Sequence, residues 1–146
     1  MRRSHSVKHS LVSRAVFAAL LLALPAAADD EANVDVGDDV EVMSGAVTAL
    51  SCALKARDDG ALDGLTSCPP SEASKGIVVF DVAEEQIYRV SEKAVYRYEL
   101  EKAFGGGSID MSGVVKKIDK GGVAVIDVED YAVNPKPKAG AFKGCL

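Results

Sequence analysis

Histidine is almost missing from this chain. Its only two, His5 and His9, fall within the first 28 residues. If that segment is removed, no Ser-His-Asp or Cys-His catalysis and no imidazole metal ligand is open to the remainder. Basic charge is scarce as well. The chain of 146 residues carries 22 acidic and 17 basic side chains, but four of the basic ones (Arg2, Arg3, Lys8, Arg14) and none of the acidic ones precede Asp29. From Asp29 onward, 22 acidic groups face 13 basic ones, a net charge of −9. That balance speaks against nucleic-acid binding, which needs a basic face. Catalytic motifs are lacking too. There is no Gly-x-Ser-x-Gly and no Ser-x-x-Lys, so the common serine acylation sites are excluded. Gly105-Gly106-Gly107 follows a helical pattern and lacks a Gly-Lys-Ser/Thr ending, which makes it a helix stop rather than a phosphate loop. Glu84-Glu85 sits in a turn and Glu129-Asp130 near a strand end, as solvated charges do, and not as a glycosidase pair would. We therefore expect no enzyme and no cofactor.

A membrane-length apolar run is absent. Ala15 to Leu24 is ten residues, and even Ala15 to Ala28 is 14, against the roughly 20 that a bilayer span requires. With its basic start, its stop at Pro25 and the small residues Ala26-Ala27-Ala28, the segment 1–28 reads as a Sec-type signal peptide. Cleavage is expected near Ala28/Asp29, and the mature protein is expected in the periplasm or outside the cell, without membrane insertion. Residues 29–39 form an acidic segment, expected to be mobile. They lack the Asp-x-Asp/Asn-x-Asp/Asn-Gly spacing of a calcium loop.

What the chain does have is strand pattern. Val40 to about Cys52 is rich in β-formers, and its apolar residues change parity at Gly45, as at a β-bulge. Ile77–Val82 and Gln86–Val90 form a hairpin pattern around Ala83-Glu84-Glu85. Ser91 reads as a helix N-cap, with Tyr96, Leu100, Ala103 and Phe104 on one face of a short helix over 92–104. Ser108–Ile118 and Val123–Val128 flank Asp119-Lys120-Gly121-Gly122, a second hairpin, and Tyr131-Ala132-Val133 can lengthen its last strand. Proline at 135 and 137 ends pairing and begins a tail over 134–146. Met43-Ser44-Gly45-Ala46-Val47 recurs as Met111-Ser112-Gly113-Val114-Val115, which reads as one device used twice, a long strand bent at a glycine. The order is three strands, one helix, two strands. It predicts a mainly β domain over 40–133: a five-stranded OB-like Greek-key barrel with one short helix.

The three cysteines, Cys52, Cys68 and Cys145, can oxidise in an exported chain. A Cys52–Cys68 bridge would staple the long first loop, which has little apolar content of its own. It would remove loop entropy worth about 3 kcal/mol. Cys145 is then free, or links two copies into a dimer rather than a monomer. Spacing alone leaves the pairings with Cys145 open. The competing reading is a thiol- or metal-handling protein using Cys52, Cys68 and Cys145. It lacks the close Cys pairs of zinc sites and the Cys-x-x-Cys of redox sites, so no metal is expected.

The stretch from about Val42 to Val133 resembles small exported bacterial OB-like domains. The likeness lies in Gly45-Ala46-Val47, Cys52, Cys68, Ile87-Tyr88, Met111–Val115 and Val123–Val128. Members often carry further Cys and His in the first loop. Those are absent here, and any metal role does not transfer. The resemblance implies a non-enzymatic binding or accessory module. Its partner would be a small molecule, an oligosaccharide or an envelope protein. The OB ligand face predicts contact through Phe80, Tyr88 and Arg89 on the β-hairpin, with the first loop beside them. Packing alone would instead put Phe80 in the core and the Tyr88 hydroxyl at its rim.

Overall fold

The computed structural model describes residues 32–138. The segment 1–28, expected to be a signal peptide, and Cys145 lie outside the described residues. The chain forms β1 (Asp39–Ala49), α1 (Leu50–Asp59), α2 (Asp63–Thr66), a 3-10 helix (Pro70–Lys75), β2 (Ile77–Asp81), β3 (Gln86–Val90), α3 (Arg97–Ala103), β4 (Ser108–Asp119) and β5 (Val123–Asn134). The strands close into a barrel in the order β1-β2-β3-β5-β4, with β4 returning to β1. All neighbours are antiparallel except β3 and β5, which pair in parallel over Ile87–Val90 and Val123–Ile126. This is the OB-like barrel that the strand order predicts, with α3 between the third and fourth strands.

Alternation along the strands divides the apolar residues into two cores. The barrel interior holds Val42, Val47, Val79, Tyr88, Ile109, Met111, Val115, Ala124 and Ile126, closed at one end by Val95, Leu100 and Ala103 around α3. The neighbours of opposite parity, Val78, Phe80, Ile87 and Val123, point outward and are also buried, under Ala53, Ala56 and Leu65 of α1 and α2.

That second core corrects the expectation of a loop between the first two strands. Strand β1 stops at Ala49, and Leu50-Ser51-Cys52-Ala53-Leu54-Lys55-Ala56-Arg57 continues as helix. Leu, Ala, Lys and Arg are strong helix formers, and Ala53 and Ala56, three apart, let the helix lie close on the sheet. Gly60 ends it with φ +68, a left-handed cap. The Cys52–Cys68 disulfide (Cα–Cα 6.0 Å) joins its first turn to the segment after α2. The Arg57 guanidinium reaches the Gly121 carbonyl at 2.5 Å, fastening the far end to the β4–β5 turn.

Two further differences concern glycines and the helix. At Gly45 the bulge is as expected. The β1–β4 register slips between Val42 and Gly45, Ser44 adopts φ +56, and a Cβ at Gly45 would lie 2.5 Å from Val79 Cγ1. At Gly113 the extra residue belongs to the partner strand, since Ser112 pairs with Asp130 and Gly113 with Val128, leaving Glu129 unmatched. The parity of β4 does not change there. Gly113 is needed because β5 crosses so closely that a Cβ would strike the Asp127 carbonyl oxygen. The helix expected over 92–104 covers only Arg97–Ala103. Ser91 caps a separate turn, its carbonyl accepting from the Ala94 and Val95 amides. Val95, not Tyr96, is therefore the buried partner of Leu100 and Ala103, and Tyr96 is 59 % exposed.

The N-terminal segment is tied where it is described. The Asn33 amide donates to the Gln86 side chain at 2.8 Å, and Gly37 and Asp38 exchange backbone hydrogen bonds with Val115. The C-terminal end of the described chain is held by the Lys136 amide on the Lys102 carbonyl at 3.0 Å.

Candidate functional site

The hairpin residues expected to bind are dispersed. Phe80 points outward but is 1 % exposed beneath α1. Tyr88 points into the barrel at 2 % exposed. Burial pushes its phenol up to about 12, with the nearby carboxylates of Asp81, Glu84 and Asp38 acting the same way. Neither ring is available to a ligand. Arg89 alone remains at the surface, paired with Asp119 at 2.8 Å, and lines a cleft of about 270 Å³ with Lys75, Glu92 and Arg97.

The exposed aromatics lie elsewhere, on α3 and the end of β5. In Tyr96-Arg97-Tyr98-Glu99-Leu100-Glu101-Lys102-Ala103, Leu100 and Ala103 face the barrel, so the residues between them turn outward. Arg97 and Glu101 form an i,i+4 ion pair at 2.9 Å, and Lys102 Nζ lies 5.0 Å from the Tyr98 ring centroid. Tyr96 and Tyr98 stack with centroids 5.8 Å apart and planes 16° from parallel, an offset arrangement. Both are more than half exposed.

Tyr131 completes the patch. It reaches from β5, packs partly against the barrel core, and donates its hydroxyl to Glu99 Oε2 at 2.7 Å. That hydrogen bond to the Glu99 carboxylate, with burial and the Glu99 charge behind it, holds the phenol above its ordinary value. The neighbouring Tyr98 and Tyr96 act in the same direction. Tyr131 also borders a cleft of about 220 Å³ whose walls include Glu41, Met43, Asp110, Ser112 and Asp130. Met43 is 67 % exposed, because the β1 bulge turns it outward. Asp110 is fixed by the Ser44 amide, which donates to its Oδ1 at 2.6 Å.

This face can stack against rings and accept hydrogen bonds. Three of the chain's four tyrosines meet on it. The helical pattern over 92–104 places Tyr96 on the buried side and the pattern at Tyr131 extends the last strand. The outward pair is marked in the sequence by the Tyr96-Arg97-Tyr98 spacing straight after the Ser91 turn. Among the described residues no group of three or more His, Cys, Asp or Glu side chains is placed to hold a metal ion. Cys52 and Cys68 are engaged in the disulfide, and Cys145 lies outside the described residues. No helix of the described residues is long and apolar enough to cross a membrane. No family model, curated protein or solved structure matches this chain.

Proposed function

We propose that the protein is an exported, non-enzymatic binding module whose ligand docks on the tyrosine face of α3 and β5, not on the β2–β3 face. The observation that carries this is the contrast in aromatic exposure. Phe80 and Tyr88 are sealed, while Tyr96 and Tyr98 stand stacked in solvent at more than half exposure. Leaving two large rings uncovered forgoes burial worth about 1.5–3 kcal/mol each, and adjoining exposed apolar groups of this kind mark interaction sites. The reading of 1–28 as a signal peptide and the disulfide support an oxidising, extracytoplasmic setting.

The test is a map of where small probes land. A mixture of fragments (phenols, quaternary ammonium ions, monosaccharides) is titrated into 15N-labelled protein, and amide shifts are followed. Shifts are expected to cluster at 96–102 and 129–132 and to vanish in the Tyr96→Ala/Tyr98→Ala double variant, whose remaining spectrum is unchanged. Shifts clustering at Lys75, Arg89 and Glu92 instead, or no cluster at all, would overturn the reading.

A further inference from the structure

We infer that the cleft between the 3-10 helix, the end of β3 and the start of α3 binds a small organic carboxylate, a compact acid with a short apolar body. This site is separate from the tyrosine face and goes beyond that reading.

The charge of the cleft runs against that of the chain. Lys75, Arg89 and Arg97 line it against a single carboxylate, Glu92, a net of +2 where the chain from Asp29 onward carries −9. Only three arginines follow Asp29, and two of them are here. The cations come from separate elements. Lys75 ends the 3-10 helix, and Gly76, at φ +136, turns the chain from there into β2. Arg89 is the exposed position of β3. Arg97 opens α3, and its Nη2 donates to the Ala73 carbonyl at 3.2 Å, which ties α3 to the 3-10 helix.

The carboxylates that pair with these cations lie outside the lining. Glu72 holds Lys75 at 2.8 Å, Asp119 holds Arg89 at 2.8 Å, and Glu101 holds Arg97 at 2.9 Å. Exposed pairs of this kind are weak and exchange at little cost. Asp119 also holds Lys117 at 2.7 Å, and Glu72 also accepts from Ser51 Oγ at 2.9 Å. Both therefore keep a partner when Arg89 or Lys75 turns to a ligand. Arg89 uses one N–H on Asp119 and Lys75 one on Glu72, out of five and three donors. A guanidinium fork matches a carboxylate through two parallel hydrogen bonds.

Size and surroundings set the ligand class. The cleft holds about 270 Å³, below the roughly 300 Å³ at which pockets for drug-sized ligands begin. Ile77, Val90 and Leu100 give it an apolar wall. Bare phosphate would leave that wall uncovered. A long polyanion would run out over Glu72, Glu101 and Asp119, which repel it. A short acid fits both the cations and the wall.

The purified 15N-labelled full chain is titrated with hexanoate, with hexanol as its uncharged counterpart, and with phosphate and a heparin oligomer. Hexanoate is expected to shift amides at 75–77 and 89–92, and to bind more weakly as added salt screens the charges. Lys75→Gln and Arg89→Gln should each weaken it about threefold, the worth of an exposed charge pair. Glu92→Gln and Asp119→Asn remove opposing carboxylates and should each tighten it about twofold, a gain that damage to the fold would not produce. Four results would each overturn the assignment: hexanol shifting the same amides as strongly, phosphate or heparin binding more tightly than hexanoate, hexanoate shifts confined to another surface, or unchanged affinity in all four variants. The tyrosine face is tested with uncharged and cationic probes, so the failure of one site is distinguishable from the failure of the other.

Discussion

The two outer faces of this barrel are treated in opposite ways. On the β1–β2–β3 side, outward-facing Val78, Phe80 and Ile87 are apolar, and the chain covers them with α1 and α2. On the β4–β5 side, the outward positions Ser108, Asp110, Ser112 and Asp127 are polar, with the half-buried Val114 and Val125 the apolar exceptions, and none belongs to the core under α1 and α2. Covering the first face takes a helix of ten residues, a disulfide and the Arg57 latch on Gly121. The difference teaches that strand order alone does not locate a ligand site. OB-type barrels use the face of strands 2 and 3 where it is open. Here that face has become a second core, and the uncovered aromatics have moved to the helix that plugs the barrel.

The largest way to test this contrast is to delete one ring from each face. Phe80→Ala removes a fully buried ring and should cost about 3–5 kcal/mol. Tyr98→Ala removes an exposed one and should change stability by no more than about 0.5 kcal/mol. Urea unfolding followed by circular dichroism gives both. Similar losses for the two would mean that the faces are not distinct.

A smaller effect is expected from the staple. Replacing Cys52 and Cys68 together by Ser should cost about 3 kcal/mol, through the freed loop entropy of the unfolded chain. Amide shifts should appear across α1, α2 and the outward residues of β2 and β3, and leave 96–102 in place. Shifts at the tyrosine face would show that the cap supports it.

The smallest effect separates the two tyrosine environments by pH. An unfolded tyrosine titrates near 10, whereas Tyr88 in the fold is pushed up to about 12. Between those values the unfolded chain has lost a proton that the folded chain retains. Its contribution is therefore complete below pH 10, and stability falls as the pH rises toward 12. Urea midpoints at pH 9, 10 and 11 should decline less steeply in Tyr88→Phe than in the parent. An unchanged slope would place the Tyr88 hydroxyl in water.

Much of the barrel was legible in the sequence because period-2 alternation and glycine turns are local signals. Val40-x-Val42, Ile77–Val82 and the Gly121-Gly122 turn each announce a strand or a hairpin without help from the rest of the chain. The cap was not, because Leu50–Arg57 follows a β-rich run without a polar N-cap residue. Ala49, the residue before the helix, makes no capping hydrogen bond. The same kind of reason hid the binding face. Whether Tyr96 faces inward or outward depends on where helix begins. Ser91 caps an isolated turn and the helix starts six residues later, which rotates Tyr96 out and Val95 in. At Gly113 the glycine itself was legible but not its cause, since the crowding comes from Asp127 and Val128 on another strand.

The parallel join between β3 and β5 is one of two long-range pairings that folding must make. Ile87–Val90 cannot find its neighbour until Val123–Ile126 has been made, and no intervening hairpin can deliver one to the other. Sheet formation can begin with the β2–β3 and β4–β5 hairpins, but the ring stays open until this join and the still more distant β1–β4 pairing have both formed, and such non-local pairings are entropically costly. The barrel is complete only once its last strand is available.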